Sequence, residues 1–304
     1  MCGESLSTSQ TAHHETERLI AMPSITVITP CFNPEPYLLQ CLESVEKQIP
    51  GVVEKHIVMD GLSSDGTVEA LRMFAGTHPR CGFEWKSEKD DGQADALNKA
   101  LALVKTEFFG WLNADDFYLG EGLEPLSLAA DERFRATGRQ PAIVYGDYVI
   151  VDAAGKILSA RRQPTFNYND CIYSYLTIQN AAAIFNTAIV RAAGGFDAKW
   201  QFVMDYDLIL KTAAAGDVLH VKKYVSAFRM HPTSKTTCRQ DVCSAETKLL
   251  RMRYAGKKSS RFLTIAYLLS KTRVALRMLR QGCLWCRLGF LKGYGLSSFS
   301  LGKR

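Results

Sequence analysis

The sequence predicts an α/β fold built around a mainly parallel, doubly wound sheet. Short apolar runs that are typical of buried strands alternate with segments in which apolar residues recur every three or four positions, as they do in helices. This alternation predicts parallel strands joined by right-handed crossovers, with helices flanking the sheet. The chain has 304 residues, 47% of them hydrophobic, which is sufficient for one large domain with an appendage.

Four strands and three helices are predicted in the first half of the chain. The strands are apolar or β-branched runs at residues 25–31, 55–60, 83–85 and 108–112. Helices follow the first three strands at residues 37–48, 68–74 and 93–104, where apolar side chains share one face. Polar, turn-forming residues separate these elements.

The second half predicts less regular structure. Residues 141–152 and the turn at residues 153–156 predict a hairpin. Asn186 is expected to cap a helix that ends at Gly194 and Gly195, and Asp205 opens another helix that runs to residue 215. A strand region is predicted at residues 218–230.

Charge is divided unevenly along the chain. The net charge is +6, yet the residues from 233 onward carry 16 lysines and arginines against 2 acids, which leaves residues 1–232 with a net charge of −8. An acidic body with a basic tail predicts an anionic partner for the tail. Nucleic acid is disfavoured as that partner, because the aromatic residues are not interleaved with lysines and arginines as in a stacking platform.

The cysteine content indicates a reducing compartment. The chain holds nine cysteines, and its first 22 residues lack the apolar segment of a secretory signal. We interpret residues 1–22 as a disordered leader and the cysteines as reduced thiols, which predicts a cytoplasmic protein.

Residues 261–283 predict an amphipathic helix within the basic tail. Its apolar face is assigned to Ile265, Leu268, Leu269, Leu276, Leu279 and Cys283, and its basic face to Arg273, Arg277 and Arg280. No stretch is long and apolar enough to predict a transmembrane helix. The helix can lie on an anionic membrane or pack on the body, and we favour the membrane because the acidic body already offers a core. The protein is then expected to be peripheral on the cytoplasmic face of the inner or plasma membrane.

Polar residues end the apolar run at residues 108–112. Asn113, Asp115 and Asp116 follow it, at the edge where open α/β sheets place their ligands. Two adjacent carboxylates repel each other, and a Mg²⁺ or Mn²⁺ ion would remove that repulsion. A surface turn is the other interpretation, because Asn and Asp are ordinary turn formers. No GxGxxG or GxxxxGK[ST] motif occurs, so dinucleotide and P-loop phosphate sites are disfavoured.

Six sequence blocks carry a resemblance to a known family. ITVITPCFN begins at residue 25, VMDGLSSDGT at residue 58, DGQADALNKA at residue 91 and GWLNADD at residue 110, and GGFD and MDYDL follow at residues 194 and 204. Together they resemble a family 2 glycosyltransferase of the GT-A fold and the bacterial polysaccharide type, over residues 24–236. The resemblance implies a nucleotide-sugar-binding half at residues 23–125 and an acceptor-binding, catalytic half at residues 126–236, before the helical tail at residues 237–304.

The resemblance also implies an activity and a set of site residues. The activity is inverting, metal-assisted sugar transfer from a UDP-, GDP- or dTDP-type donor to a hydroxyl of a saccharide acceptor, lipid-linked or part of a surface polysaccharide. Asp205 matches the catalytic base. Donor-site positions are Thr29, Pro30, Phe32, Asn33, Asp60, Asp91, Asn98, Asn113, Asp115 and Arg229. Mg²⁺ or Mn²⁺ is expected on Asp116, Asp115 and His231, with Asp116 as the more direct ligand.

Three positions depart from the family's pattern. Gly61 stands where many members have a second acid, Asn113 where the metal motif often begins with Asp, and Met204 where Glu usually precedes the base. The first change alters base recognition, the second removes one charge from the metal site, and the third removes an acceptor contact. A nucleotide-sugar-binding or degenerate transferase protein without turnover, at the membrane surface, is the alternative function, against which the presence of Asp205 argues.

Overall fold

The structure is a computed structural model that describes residues 23–49, 51–78, 82–232, 234, 239–256 and 258–283. The predicted leader at residues 1–22 and the last part of the tail, residues 284–304, lie outside the described residues. Asp205, the proposed donor-site positions and the proposed metal ligands all lie inside them.

Nine strands form one sheet in the described part of the chain. They are β1 Ile25–Cys31, β2 Val53–Asp60, β3 Phe83–Ser87, β4 Phe108–Trp111, β5 Phe117–Tyr118, β6 Ile143–Val151, β7 Ile157–Arg161, β8 Ala183–Asn186 and β9 Val218–Arg229. The strand order is β3-β2-β1-β4-β8-β6-β9-β5, and β7 pairs with β6.

The first four strands are parallel, as their alternation with helices predicts. β1 lies between β2 and β4, and every residue of β1 and β4 is buried. Strands covered on both faces require continuous apolar sequence, which is the pattern of residues 25–31 and 108–111. The predicted doubly wound arrangement is therefore confirmed for this half.

The second half turns the sheet into a mixed one. β8 runs antiparallel to both β4 and β6, β7 returns antiparallel to β6, and β9 runs parallel to β6. The predicted hairpin is the β6–β7 pair. Short β5 pairs antiparallel with β9 directly after the polar residues that end β4.

Helices cover the sheet on both faces. They are α1 Leu38–Glu46, α2 Thr67–Thr77, α3 Gln93–Leu103, α4 Glu124–Thr137, α5 Tyr168–Tyr173, α6 Thr187–Ala192, α7 Met204–Ala213, α8 Gln240–Ala255 and α9 Ser260–Arg280. The side chain of Asn186 caps α6 by accepting a hydrogen bond from the N–H of Ile189, as predicted. Two large buried clusters, one on each side of the central strands, form the core.

The tail helices pack on the body with faces that differ from the prediction. The structure pairs Arg273 and Arg277 of the predicted basic face with Asp170 of α5, and it buries Val274 and Met278. Most residues of the predicted apolar face are exposed instead, although Cys283 is buried. Among the described helices, none has the length and apolarity needed to cross a bilayer.

Candidate active site

The carboxyl ends of β1, β2 and β4 meet at one edge of the sheet. Cys31 at the end of β1 is in register with Asp60 at the end of β2. Ile28 of β1 is in register with Trp111 of β4, two residues before Asn113. Parallel neighbours therefore bring the predicted nucleoside side and the predicted metal side together, as expected for a ligand site in an open α/β sheet.

Asp60 is a buried carboxylate held by two serines. Its Oδ1 accepts a hydrogen bond from the hydroxyl of Ser63, and its Oδ2 accepts one from the hydroxyl of Ser87 at 2.6 Å. The N–H of Ser63 lies 3.2 Å from Oδ2. These donors fix the carboxylate at the end of β2, where only 1% of the residue is exposed.

Asp90 occupies the place that Gly61 leaves free. A Cβ atom at Gly61 would lie 2.5 Å from Oδ2 of Asp90, so the carboxylate rests directly on the glycine. Oδ1 of Asp90 accepts a hydrogen bond from the N–H of Gly92 at 2.9 Å, which fixes the turn before α3. An acid from another loop thus lies beside Asp60. Sequence spacing gave no signal for this, because positions 61 and 90 are far apart in the chain.

Asp91, the predicted donor-site residue of this loop, is exposed beside Asp90. Its N–H donates to Oδ2 of Asp95 at 3.2 Å. The side chain of Asp91 lies on the solvent side of the turn that leads into α3, so its contact with a donor stays a prediction.

The four predicted residues at the end of β1 fall into different environments. Thr29 is buried, and its hydroxyl lies 2.9 Å from Nε2 of His56. Pro30 is also buried. Phe32 is 69% exposed. Asn33 has a φ of 49° and joins two loops, because its Oδ1 accepts from the N–H of Ser64. Of these four, Phe32 presents the free apolar surface on which a nucleoside ring could stack.

Asn113 is a structural amide at the start of the polar segment. Its Oδ1 accepts hydrogen bonds from Nε2 of Gln93 and from Nε1 of Trp111, each at 2.9 Å. Both bonds require an acceptor at this position, and an amide supplies one without adding a charge beside Asp116. The departure from the family's pattern therefore has a structural reason here.

Asp116 is buried beneath the site rather than exposed in it. Its Oδ1 accepts a hydrogen bond from the main-chain N–H of Arg229 at 2.9 Å, and only 1% of the residue is exposed. Its Oδ2 is buried and makes no hydrogen bond with the described residues. Burial, and then the neighbouring charge of Asp115, raises the pKa of Asp116 well above its ordinary value. Asp116 thus lies deeper than Asp115, and its role as the more direct metal ligand stays a prediction.

Asp115 is the accessible carboxylate of the pair. Its side chain is 29% exposed, and its Oδ2 lies 3.0 Å from Nε2 of His231. The ring of His231 also packs 4.7 Å from the ring of Tyr37, measured between centroids. The structure thus brings together Asp115 and His231, two of the three predicted metal ligands, in one polar pair at the carboxyl end of β4.

Arg229 is a buried arginine whose guanidinium is bound by neighbouring loops. The residue is 2% exposed, and its Nε donates to the carbonyl oxygen of Asp115 at 2.8 Å. Its Nη1 donates to the carbonyl oxygen of Ala153 at 2.8 Å, and its Nη2 donates to Gln40. The guanidinium also lies over the ring of Tyr37. Because these partners enclose it, Arg229 ties loops together beneath the site, and its contact with a diphosphate stays a prediction.

The residues present fit a divalent metal in part. Nowhere in the described part of the chain do three or more His, Cys, Asp or Glu side chains form a group able to hold a metal ion. A preformed three-ligand centre on Asp115, Asp116 and His231 is therefore not observed. The carboxylate of Asp115 suits Mg²⁺ or Mn²⁺ if a phosphate supplies further oxygens, and the imidazole of His231 suits a transition metal such as Mn²⁺ better than Mg²⁺.

Asp205, the predicted base, lies in the first turn of α7. Its Oδ1 accepts a hydrogen bond from the N–H of Tyr206 at 2.8 Å. The residues just before it, Val203 and Met204, belong to the same buried cluster as Trp111 of β4. Shared packing of this kind fixes the start of α7 relative to the strand that carries Asn113 and Asp115.

Asn98 binds the loop between α6 and α7, and its contact with a donor stays a prediction. Its Nδ2 donates to the carbonyl oxygen of Phe196, and its Oδ1 accepts from the N–H of the same residue, both at 2.8 Å. A Cβ atom at Gly195 would lie 2.6 Å from Oδ1 of Asn98. This close approach explains why a glycine precedes Phe196. Both polar atoms of the Asn98 side chain are thus bound to the loop between α6 and α7.

Residues of α8 hold α7 in place, and the sequence did not indicate them. Glu246 accepts hydrogen bonds from the N–H groups of Gln201 and Phe202, just before α7. Nε of Arg251 donates to the hydroxyl of Tyr206 at 3.2 Å. The hydroxyl of Tyr254 donates to Oδ1 of Asp207 at 2.9 Å. These contacts join residues more than 40 positions apart, which no local pattern reveals.

Solved structures with a similar fold are glycosyltransferases. S. aureus TarS matches with a TM-score of 0.59 and 16% identity over 81% of this chain and 43% of TarS. A TarS structure in complex with UDP-GlcNAc matches with a TM-score of 0.59 and 14% identity over 90% and 75% of the two chains. The mannosyltransferase PcManGT from Pyrobaculum calidifontis, in complex with GDP-Man and Mn²⁺, matches with a TM-score of 0.58 and 18% identity over 96% and 88%. At these identities the likeness shows the GT-A fold.

Similar sequences include polysaccharide synthases. The chondroitin synthase of Escherichia coli is 29% identical over 69% of this chain and 29% of its own length. The hyaluronan synthase of Pasteurella multocida is 26% identical over 69% of this chain and 21% of its own length. An uncharacterized glycosyltransferase of Mycobacterium tuberculosis is 26% identical over 69% of this chain and 76% of its own length. The chain thus spans less than a third of the two synthases.

The family assignment rests on a match over just over half of the chain. The model of glycosyl transferase family 2 matches residues 26–178. This range contains all of β1 except its first residue, the strands β2 to β7, and every polar residue described above at the ends of β1, β2 and β4. The chain belongs to glycosyl transferase family 2.

Proposed function

We propose that the protein is an inverting glycosyltransferase that moves a sugar from a nucleoside-diphosphate sugar to a hydroxyl of a saccharide. The observation that carries this proposal is the alignment of Asp60 and Asp115 at one sheet edge, with Asp205 on a helix packed against the same core. Structures with this fold have been solved with UDP-GlcNAc and with GDP-Man, which supports a donor of this class.

The nucleoside is expected at the ends of β1 and β2. Phe32 offers an exposed ring for stacking, and the carboxylates of Asp60 and Asp90 offer acceptors for the N–H groups of a base or the hydroxyls of a ribose. UDP, GDP and dTDP all have N–H or hydroxyl groups that can donate hydrogen bonds to these carboxylates. We therefore assign base recognition to this trio and not to an acidic pair from one loop.

The diphosphate is expected beside Asp115. A Mg²⁺ or Mn²⁺ ion held by Asp115 and His231 would supply a positive charge that offsets the charge developing on the leaving diphosphate. Asp116 and Arg229 contribute indirectly. The main-chain N–H of Arg229 donates to Oδ1 of Asp116, and Nε of Arg229 donates to the carbonyl oxygen of Asp115, so these bonds fix the segment that carries Asp115. Asp115 would thus be the accessible carboxylate beside the phosphates, with Asp116 and Arg229 buried beneath it.

Asp205 is proposed as the general base. Its carboxylate takes the proton from the acceptor hydroxyl as the hydroxyl oxygen attacks the anomeric carbon, and the nucleoside diphosphate leaves from the opposite face, which inverts the configuration. Asp205 lies in the first turn of α7, where the N–H of Tyr206 donates to its Oδ1 and so orients the carboxylate.

The acceptor is proposed to be a saccharide on a lipid or in a growing surface polysaccharide, and the basic tail to hold the protein at an anionic membrane. The supporting observation is the separation of charge, with 16 basic and 2 acidic residues from position 233 onward. The similar polysaccharide synthases support a saccharide acceptor.

The test of the proposed function is nucleoside diphosphate release by the wild type and by Asp205→Asn. The wild type should release the diphosphate when donor and a membrane-derived saccharide fraction are both present. Asp205→Asn should lower the turnover by about 10²–10⁴, with donor affinity unchanged. Near-wild-type turnover of the variant would show that Asp205 is not the base. Donor binding by the wild type without any release would favour the non-catalytic alternative.

A further inference from the structure

The helix α9 is held on the body by a buried carboxylate. Asp170 of α5 is 1% exposed and accepts hydrogen bonds from Nη2 of Arg273 at 2.8 Å, from Nη2 of Arg277 at 2.7 Å and from the hydroxyl of Ser270 at 3.0 Å. Val274 and Met278 are buried on the same side of α9. These contacts fix the rotation of the helix about its own axis.

This docking leaves a stripe of large apolar side chains exposed along the rest of α9. Between 45% and 58% of each residue in the stripe is accessible, and its members are Phe262, Ile265, Leu268, Leu269, Leu276 and Leu279. Most of their spacings are three or four positions, so the stripe follows one side of the helix. A contiguous exposed apolar surface of this kind marks an interaction site.

The charges around the stripe select its partner. The helix contains no acidic residue, and the basic residues Arg261, Lys271 and Arg280 are exposed beside the stripe. A second copy of the helix would bring like charges together without an acid to pair with them, which opposes self-association through this face. An anionic lipid surface satisfies both features, since acyl chains accept the apolar side chains and headgroups attract the basic ones.

We infer that the apolar stripe of α9, and not its Asp170-facing basic side, inserts into the interface of an anionic bilayer. Arg273 and Arg277 then serve to orient the helix on the body, while Arg261, Lys271 and Arg280 face the headgroups. The turn between α8 and α9 adds a cleft that combines apolar Met252 and Leu263 with cationic Arg253 and Lys258. The cleft thus combines apolar and basic side chains, as the stripe and its flanking residues do.

The docked helix is joined to the helix that carries the proposed base. Asp170 precedes Cys171, whose carbonyl oxygen accepts a hydrogen bond from the hydroxyl of Tyr206 in α7. Arg251 bonds the same hydroxyl and the carbonyl oxygen of Ser174. A bilayer on the stripe would therefore lie against the acceptor-side half of the protein. The idea that this bilayer carries the saccharide acceptor rests on the proposed function. Binding of α9 to the bilayer does not require sugar transfer.

The test is sedimentation of the full chain with vesicles of phosphatidylcholine, with and without about one third phosphatidylglycerol. The wild type should bind the anionic vesicles. The variant Ile265→Gln/Leu269→Gln/Leu276→Gln should bind them at least about tenfold more weakly, because three apolar side chains no longer enter the interface. The control Leu103→Gln/Leu158→Gln removes side chains that are 46% and 56% exposed outside α9 and should bind like the wild type.

Three results would overturn the inference. The first is equal vesicle binding by the wild type and the stripe variant, and the second is no vesicle binding by the wild type. The third is a dimer of the wild type in analytical ultracentrifugation that the stripe variant abolishes, which would assign the stripe to a second copy. A donor-induced rise in melting temperature, measured on the same samples, separates failure of this inference from failure of the proposed function, since the stripe variant should keep that rise.

Discussion

Oδ2 of Asp115 lies 3.0 Å from Nε2 of His231, and this pair joins the end of β4 to the segment that follows β9. The adjacent Asp116 points into the core and accepts a hydrogen bond from the main chain of Arg229. One of two neighbouring carboxylates is thus available to a ligand, while the other belongs to the support. In the proposed donor site, Asp115 would therefore be the carboxylate that a diphosphate and a metal ion can reach.

The contact between Gly61 and Asp90 should appear as a coupling between two substitutions. Gly61→Ala places a Cβ where Oδ2 of Asp90 lies, so it should destabilise the protein by about 1 kcal/mol and weaken donor binding. In an Asp90→Ala background the same substitution should cost less, because the carboxylate is gone. Denaturant unfolding of the four proteins measures the coupling.

Gly76→Ala is the matched control for that cycle. Gly76 lies in α2 with nothing within 4 Å of the added Cβ, so the change should be neutral or stabilise by up to about 1 kcal/mol. Additive effects of Gly61→Ala and Asp90→Ala would show that the two residues are not in contact.

Stability should fall on mild acidification because of His56. Burial lowers the pKa of His56 from its ordinary value of 6.5 to about 3. Below about pH 6.5 His56 is protonated in the unfolded chain, whereas in the folded protein it stays neutral until about pH 3. The free energy of unfolding therefore decreases as the pH falls through this range. The loss between pH 7 and pH 5 should be about 2 kcal/mol.

The measurement for His56 is urea unfolding at pH 7 and pH 5. His56→Gln should flatten the difference between the two pH values, whatever its own effect at pH 7. His78→Gln is the control, since that imidazole is only partly buried and forms an ion pair with Glu46 at the surface. An unchanged pH dependence in His56→Gln would contradict the assignment.

Removing the carboxylate of Asp170 should release α9. Asp170→Ala leaves Arg273 and Arg277 without their shared partner. It should lower the free energy of unfolding by about 3 kcal/mol, the low end for a broken buried ion pair, because Arg273 is partly exposed to solvent. Hydrogen exchange should accelerate in α9 before the rest of the protein. The control Glu84→Gln removes the partner of Lys55 at the surface and should change stability by less than about 0.5 kcal/mol. Equal protection of α9 in Asp170→Ala and the wild type would contradict the clamp.

The sheet could be predicted from the sequence because its signals are local. β1 and β4 are covered on both faces, so their residues form apolar runs, and the turns between elements are rich in Gly, Asn and Asp. The alternation of strands and helices then determines parallel pairing and brings the ends of the strands together. Pairings between distant strands, such as β6 with β9, have no such local signal.

The site could be located from the sequence but not resolved into roles. Asp115 and Asp116 are adjacent, and nothing in their order shows that Asp116 meets the N–H of Arg229, which is 113 positions away. Burial of Arg229 likewise depends on Gln40 and Ala153 from other loops. The rotation of α9 is decided by Asp170, more than 100 positions before Arg273. Long-range partners of this kind set the orientation of polar side chains, which periodicity does not predict.

Asp115 is central to the proposed donor site, and a thermal-shift panel tests it most directly. Wild type and Asp115→Asn are melted with UDP-, GDP- and dTDP-sugars, each with and without Mn²⁺. At a donor concentration about 100 times the Kd, binding adds about 2.7 kcal/mol and should raise the melting temperature of the wild type by about 5 °C with one nucleotide. The rise should depend on Mn²⁺ and be lost in Asp115→Asn, whereas Glu69→Gln, a change in an exposed ion pair of α2, should retain it. If no donor raised the melting temperature of the wild type, or if the melting temperature of Asp115→Asn rose equally, the proposed donor site at Asp115 would be wrong.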